Sequence, residues 1–512
     1  MLTSLVRLAS SRRALGTVVA AACVPVTLAT GLAAAQVAGS WTEFQGGPAK
    51  TGVAAEGPDP GYRRAWSTAV EPSGPGNRFG LSAPVIAGDV AVAVGADAVI
   101  GLDVGSGEQT FAVDRAAGPS APAASASLGD RTAIVYTEGW GEGPPPEPGA
   151  EEAPSPSASP PAAVGSDEVV AESRLAAFDL ESQESLWPPV PLDGVSRTGV
   201  TVDGGSAFVG VNGGTVISVD LADGRVDWRR ELDAMLVTPL AVTDATVLVG
   251  LQGDTDTQPV IVALDAGTGE ERWRHEPSAR SSVVSAVSAD RGTAFAIFAG
   301  LSETSVVALD LADGAERWSR RVNSTFDVIA PPVVGAESVF VTDLIGHTRA
   351  FDATSGEQRW DFAQNAPVFR SVPVLVGAHL LVPTLEGELG AIDAETGELV
   401  WRLPADGAPL RSLAPAGEVL VATRGGVRSG VDALEHDPDA VLVREASPTT
   451  LAVGRMVGAI AIAAIPLLVL VLLLGRMLAA RMGPAFPGDE APGTEDEPVV
   501  DPWETDAEDP TS

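Results

Sequence analysis

A unit of about forty residues recurs along most of this chain, and that recurrence restricts the possible folds more than any other feature. Four segments read alike in the first half: Gly101-Leu102-Asp103…Gly107…Phe111, Ala177-Phe178-Asp179…Trp187, Ser218-Val219-Asp220…Gly224…Trp228 and Ala263-Leu264-Asp265…Gly269…Trp273. Three more follow: Ala308-Leu309-Asp310…Gly314…Trp318, Ala350-Phe351-Asp352…Gly356…Trp360 and Ala391-Ile392-Asp393…Gly397…Trp401. A weaker eighth begins at Gly430-Val431-Asp432 and lacks both the Gly and the Trp. From Asp179 onward the Asp-to-Asp spacings are 41, 45, 45, 42, 41 and 39, whereas Asp103 and Asp179 are 76 apart.

Each unit also carries an earlier apolar strand after a Gly or Asp turn, as in Asp89 to Val94, Ser206 to Val211 and Ser338 to Val341. Short strands with frequent turn signals argue for an all-β chain, and no helical apolar period competes. A unit of this length with four strands is one blade of a propeller. The expected fold is therefore an eight-bladed β-propeller of four-stranded antiparallel blades, spanning residues 41–443.

The shared residues have a mechanical reading. The carboxylates of Asp103, Asp179, Asp220, Asp265, Asp310, Asp352 and Asp393 can accept backbone N–H bonds in the turn that follows. The Gly four residues on supplies a positive φ. Trp187, Trp228, Trp273, Trp318, Trp360 and Trp401, eight residues after each Asp, are expected on outer strands, packed against the neighbouring blade. Only 5% of the chain is aromatic, yet 10 residues are Trp. Structural stapling accounts for that bias.

The unit resembles the PQQ-like β-propeller repeat of quinoprotein alcohol dehydrogenases and of the propeller lipoprotein of the outer-membrane β-barrel assembly machinery. The resemblance includes Trp41-Thr42-Glu43-Phe44-Gln45-Gly46…Thr51-Gly52, similar to a lead-in that precedes such propellers. It implies that the strand around Ala65-Trp66-Ser67 completes the last blade, so that Trp66 serves the eighth unit.

The long interval between Asp103 and Asp179 holds an insertion at 141–169. Gly141 to Ser166 contains eight prolines and no Lys or Arg, a composition that cannot bury enough apolar surface to order itself. At the N-terminus, Arg7, Arg12 and Arg13 precede an uncharged run ending in Ala33-Ala34-Ala35. Residues 1–35 are expected to be a signal peptide or a retained anchor, loosely like a twin-arginine signal. Met456 to Gly475 is uncharged over 20 residues and long enough to cross a bilayer. Arg476 and Arg481 then place the C-terminus in the cytoplasm. The acidic tail 483–512 is expected to be disordered, and the propeller extracytoplasmic.

A formal net charge of −36 over 512 residues excludes nucleic acid as a partner. Cys23 is the only cysteine and Lys50 the only lysine. The resemblance to quinoprotein dehydrogenases implies a catalytic Asp, a Ca²⁺ held by Glu and Asn, and in many members a vicinal disulfide. None of these maps onto this chain, since its Asp residues repeat in every unit and a catalytic one should be singular. His275, His347, His379 and His436 occupy unrelated repeat positions, and Asp254-Thr255-Asp256 lacks the further oxygens of a calcium loop. No catalytic, metal or cofactor residue is assigned, and no singular polar cluster is expected. The reading is a membrane-tethered scaffold binding protein partners in the cell envelope. Alternatives are a PQQ-dependent oxidoreductase and a single-pass ligand sensor signalling through its tail.

Overall fold

The computed structural model describes residues 41–442, apart from 71–79, 140–172, 237, 254–257, 278–282, 300–303, 323–329, 365, 369–370 and 426–428. The signal segment, the insertion, the Asp254-Thr255-Asp256 loop, the membrane span and the acidic tail lie outside the described residues.

The strands form eight separate sheets, one per repeat. Blade 3 shows the pattern. Val200–Asp203, Ser206–Gly210, Thr215–Asp220 and Val226–Glu231 follow one another as an antiparallel meander from the axis outwards. Ala207, Phe208 and Val209 and then Val216, Ile217 and Val219 fill the two middle strands, which are buried on both faces, while the outer strand alternates half-buried and exposed residues. Short turns with glycine at positive φ, such as Gly204 and Gly205, join the first two strands.

Sheet faces pack against the next blade, so the core lies in layers between blades. One layer combines Ile261, Ala263 and Trp273 of blade 4 with Ala294, Ala296 and Phe298 of blade 5. Because every layer needs a neighbour on both sides, the ring must close. Tyr62–Ala69 closes it by pairing antiparallel with Gly430–His436, which places Trp66 opposite Ala433.

The register corrects the reading of the eighth unit. In blades 1, 3 and 6 the repeat Asp stands opposite the first residue of the second strand: Asp103 with Val90, Asp220 with Ser206, Asp352 with Ser338. In blade 8 that place belongs to Glu435, opposite Val419. The eighth motif is therefore Ala433-Leu434-Glu435, which is 42 residues after Asp393, and Asp432 is something else. The sequence reading missed it because only an Asp was sought.

Three blades depart from the plain four-stranded plan. Blade 2 has an outer strand of two residues, Val190–Pro191, because Pro188 and Pro189 have no N–H to give to a ladder. Trp187 therefore sits beside its blade's outer strand rather than on it. Blade 4 gains Met235–Leu236 beside its second strand, and blade 7 gains Val53–Ala54, parallel to Val374–Val376.

Candidate interaction surfaces of the ring

Two mouths of the channel follow from the topology. One is formed by the tight turns between first and second and between third and outer strands. The other is formed by the longer connections between second and third strands and between blades.

The turn side is built from the repeated residues. Asp265 Oδ1 accepts the backbone N–H of Gly267 and Thr268 at 3.0 and 2.9 Å, and Asp352 does the same for Thr354 and Ser355. Arg272, Arg317 and Arg359 each donate to the second oxygen of their own blade's Asp at 2.7, 2.8 and 2.7 Å. These arginine bonds, ahead of the turn bonds, hold Asp265, Asp310 and Asp352 below the usual carboxylate range.

Each indole reaches the next blade. Trp66, Trp187, Trp228, Trp273, Trp318 and Trp360 donate Nε1–H to the carbonyls of Val104, Leu221, Ala266, Leu311, Ala353 and Ala394, all within 2.8–3.1 Å. In every case the acceptor is the residue just after the next blade's Asp. The ring covers that blade's glycine, where a Cβ would fall 2.5–2.8 Å from an indole atom. The glycine is required for close approach as well as for its positive φ.

The exceptions obey the same rule. Blade 1 carries Phe111 in place of Trp, and the turn beyond it carries Gln183, at φ 59°, in place of Gly. The smaller ring, edge-on to Phe178 with centroids 5.5 Å apart, leaves room for a side chain. Trp401 meets no glycine; it packs edge-on against Tyr62 at 5.2 Å.

The loop side of blades 6 to 8 is different in kind. Three residues before the repeat carboxylate, blades 1 to 5 hold Ile100, Ala176, Ile217, Val262 and Val307. Blades 6, 7 and 8 hold Arg349, Gly390 and Asp432 there. Arg349 is buried beside Asp343 at 3.3 Å and contacts His347 Nδ1 at 2.8 Å. Burial, then the neighbouring Arg349, keeps His347 below its ordinary pKa. Gly390 makes room for the Gln364 carboxamide, which donates to Glu388 at 3.1 Å. Arg402 lies 3.3 Å from the same carboxylate. Asp432, completely buried, lies between Arg64 Nε at 3.0 Å and Arg424 Nε at 3.1 Å, and Arg64 also reaches Asp406 at 2.9 Å. These three polar groups, at the same repeat position of consecutive blades, are the singular feature that the sequence reading did not expect. Its signal was present: charged residues at a position that is apolar in five other units.

The arrangement does not fit a quinone–calcium site. The carboxylates of Asp343, Glu388 and Asp432 each face an arginine, and among the described residues no Asn joins them and no three His, Cys, Asp or Glu side chains converge on a metal position.

The family profile described as outer membrane protein assembly factor BamB matches residues 171–346 and 345–453, more than half of the chain. The chain belongs to the BamB family. A BamB of Burkholderia pseudomallei strain K96243 is 26% identical over 180 residues, which cover 33% of this chain and 42% of that protein. The chain thus spans less than half the length of that relative. Among solved structures, BamB from Moraxella catarrhalis covers 73% of this chain and 99% of its own, at 16% identity and a TM-score of 0.51. The quinohemoprotein alcohol dehydrogenase ADHIIG from Pseudomonas putida HK5 covers 80% and 82% at 12% identity, with a TM-score of 0.55. At such identities the two structures establish a shared propeller fold, and BamB membership rests on the profile.

Proposed function

We propose that the chain is a binding or assembly scaffold of the cell envelope, with its ring on the extracytoplasmic side. The observation that carries this reading is membership of the BamB family across the repeats. The structure supports it in a second way. The repeated Asp, Gly and Trp residues are engaged in turns and staples, which suits a rigid frame presenting variable loops.

The topology in this proposal is a leader or anchor at 1–35, the ring, a membrane helix at 456–475 and a cytoplasmic acidic tail at 483–512. The uncharged 20-residue run and the arginines at 476 and 481 support it. Its partners are envelope proteins, and neither a cofactor nor a nucleic acid is part of the proposal.

Crosslinking a tagged full-length chain in intact cells, followed by affinity purification, tests the reading. Stoichiometric recovery of a defined envelope protein is the expected result. Dye reduction by the purified full-length protein after reconstitution with PQQ and Ca²⁺, with the quinone absorbance retained on gel filtration, would overturn it.

A further inference from the structure

The lead-in that precedes the first blade visits the inner strands of seven blades in order around the axis. The carbonyls of Trp41 and Thr42 accept the N–H of Ile86 in blade 1 and Ser125 in blade 2, at 2.7 and 2.8 Å. Glu43 Oε1 takes the N–H of Val202 in blade 3 at 2.8 Å. Pro48 and Ala49 accept from Val242 in blade 4 and Ala289 in blade 5, at 2.7 and 3.0 Å. Thr51 and Gly52 accept from Val334 in blade 6 and Leu375 in blade 7, at 2.7 and 2.8 Å. All seven donors sit on inner strands, on edges that the sheets themselves leave unpaired.

The segment has its own internal frame. Glu43 and the chain's only lysine, Lys50, form an ion pair at 2.6 Å with both side chains about 1% exposed. Gln45 and Lys50 adopt positive φ of 59° and 56°, and the Trp41 ring lies 3.3 Å from where a Cβ on Gly46 would stand. The chain elsewhere uses arginine for every basic residue. At 50 a compact ammonium on a slender stem reaches a carboxylate inside the ring, where a planar guanidinium would need more donors satisfied.

We infer that the ring of inner-strand amides on the turn side is a binding site for a peptide backbone wound around the axis, filled in cis by residues 41–54, whose own turns are closed by the N–H of Thr42, Gly46, Lys50 and Gly52 donating to Gly46, Glu43, Gly47 and Gln45. The ligand class is a short turn-forming segment with a carboxylate side chain seven residues before an amine. The amides supply affinity that does not depend on side chains, and the buried acid–amine pair supplies selectivity. Tethering places the natural occupant at an effective concentration of order millimolar. With this mouth filled, the channel opens only on the loop side.

The experiment uses the full-length chain with a protease site inserted at Ala55–Gly57, which is exposed. After cleavage, the N-terminal fragment is expected to stay with the ring through gel filtration and to be displaced by excess synthetic peptide 41–56. The same peptide carrying Glu43→Gln should compete about a hundredfold less well or worse, since one partner of a buried ion pair is lost. Altering the peptide leaves folding of the ring unaffected. Immediate loss of the fragment on cleavage, equal competition by both peptides, or unfolding of the ring when the fragment leaves would each overturn the inference.

Discussion

Trp228 and Gly269 are two halves of one contact. The indole donates to Ala266, three residues before the glycine, at 2.9 Å, and a Cβ at 269 would lie 2.6 Å from the ring. The pairing recurs around the ring, and the Phe111–Gln183 combination shows what happens when the ring is smaller.

That relationship makes a prediction about coupling. Gly269→Ala should cost about 2–4 kcal/mol, from positive φ and overpacking together. Gln183→Gly should stay within about 1 kcal/mol. Combined with Trp228→Phe, Gly269→Ala should cost clearly less than the sum of the two single changes. Denaturant titration of the four proteins gives the cycle; strict additivity would show that the ring and the glycine do not constrain each other.

The closing strand should depend on Asp432. Eight similar sheets offer many wrong partners for Tyr62–Ala69, and the pairing of half-exposed Arg64 with the buried carboxylate of Asp432 is made at the correct one. Asp432→Asn is expected to cost about 3 kcal/mol, chiefly because the nearly buried Arg424 loses its counter-charge while half-exposed Arg64 keeps Asp406. Light scattering should detect domain-swapped oligomers in that variant and not in the parent chain. A monomeric, equally stable variant would assign the register to the ladder alone.

The insertion should be removable. Its neck is held by the Glu138–Arg174 ion pair at 2.8 Å and by Ser173 donating to Gly139 at 3.0 Å. Replacing residues 141–171 by a short Gly-Ser linker is expected to move Tm by less than about 4 °C. A larger fall would mean that the insertion contributes to the core.

Acid should weaken the turns in a defined window. Asp265, Asp310 and Asp352 have folded pKa values depressed chiefly by Arg272, Arg317 and Arg359. Their contribution is therefore complete above the unfolded Asp value near pH 4 and is lost as pH falls through the folded values. Changing the three arginines to Gln should lower Tm slightly at pH 7 and shrink its further fall between about pH 4 and pH 2. An unchanged pH profile would mean that turn amides alone account for the depression.

The number of blades, their order and their stapling could be read from one dimension, because a repeat fold uses the same contacts at a constant spacing. Asp, Gly and Trp stand where local turn chemistry and the next blade require them, and Trp66 was legible as the missing eighth indole. What needed three dimensions were contacts between residues far apart in the chain. Register alone showed that Glu435, not Asp432, is the eighth repeat carboxylate. Nothing in the spacing of Arg64 and Asp432 indicates that they meet 368 positions apart. Lys50 reads as a composition quirk until the lead-in is seen coiled on the axis. Periodicity records what every blade shares, whereas closure and capping happen once, and a feature that happens once leaves no period to detect.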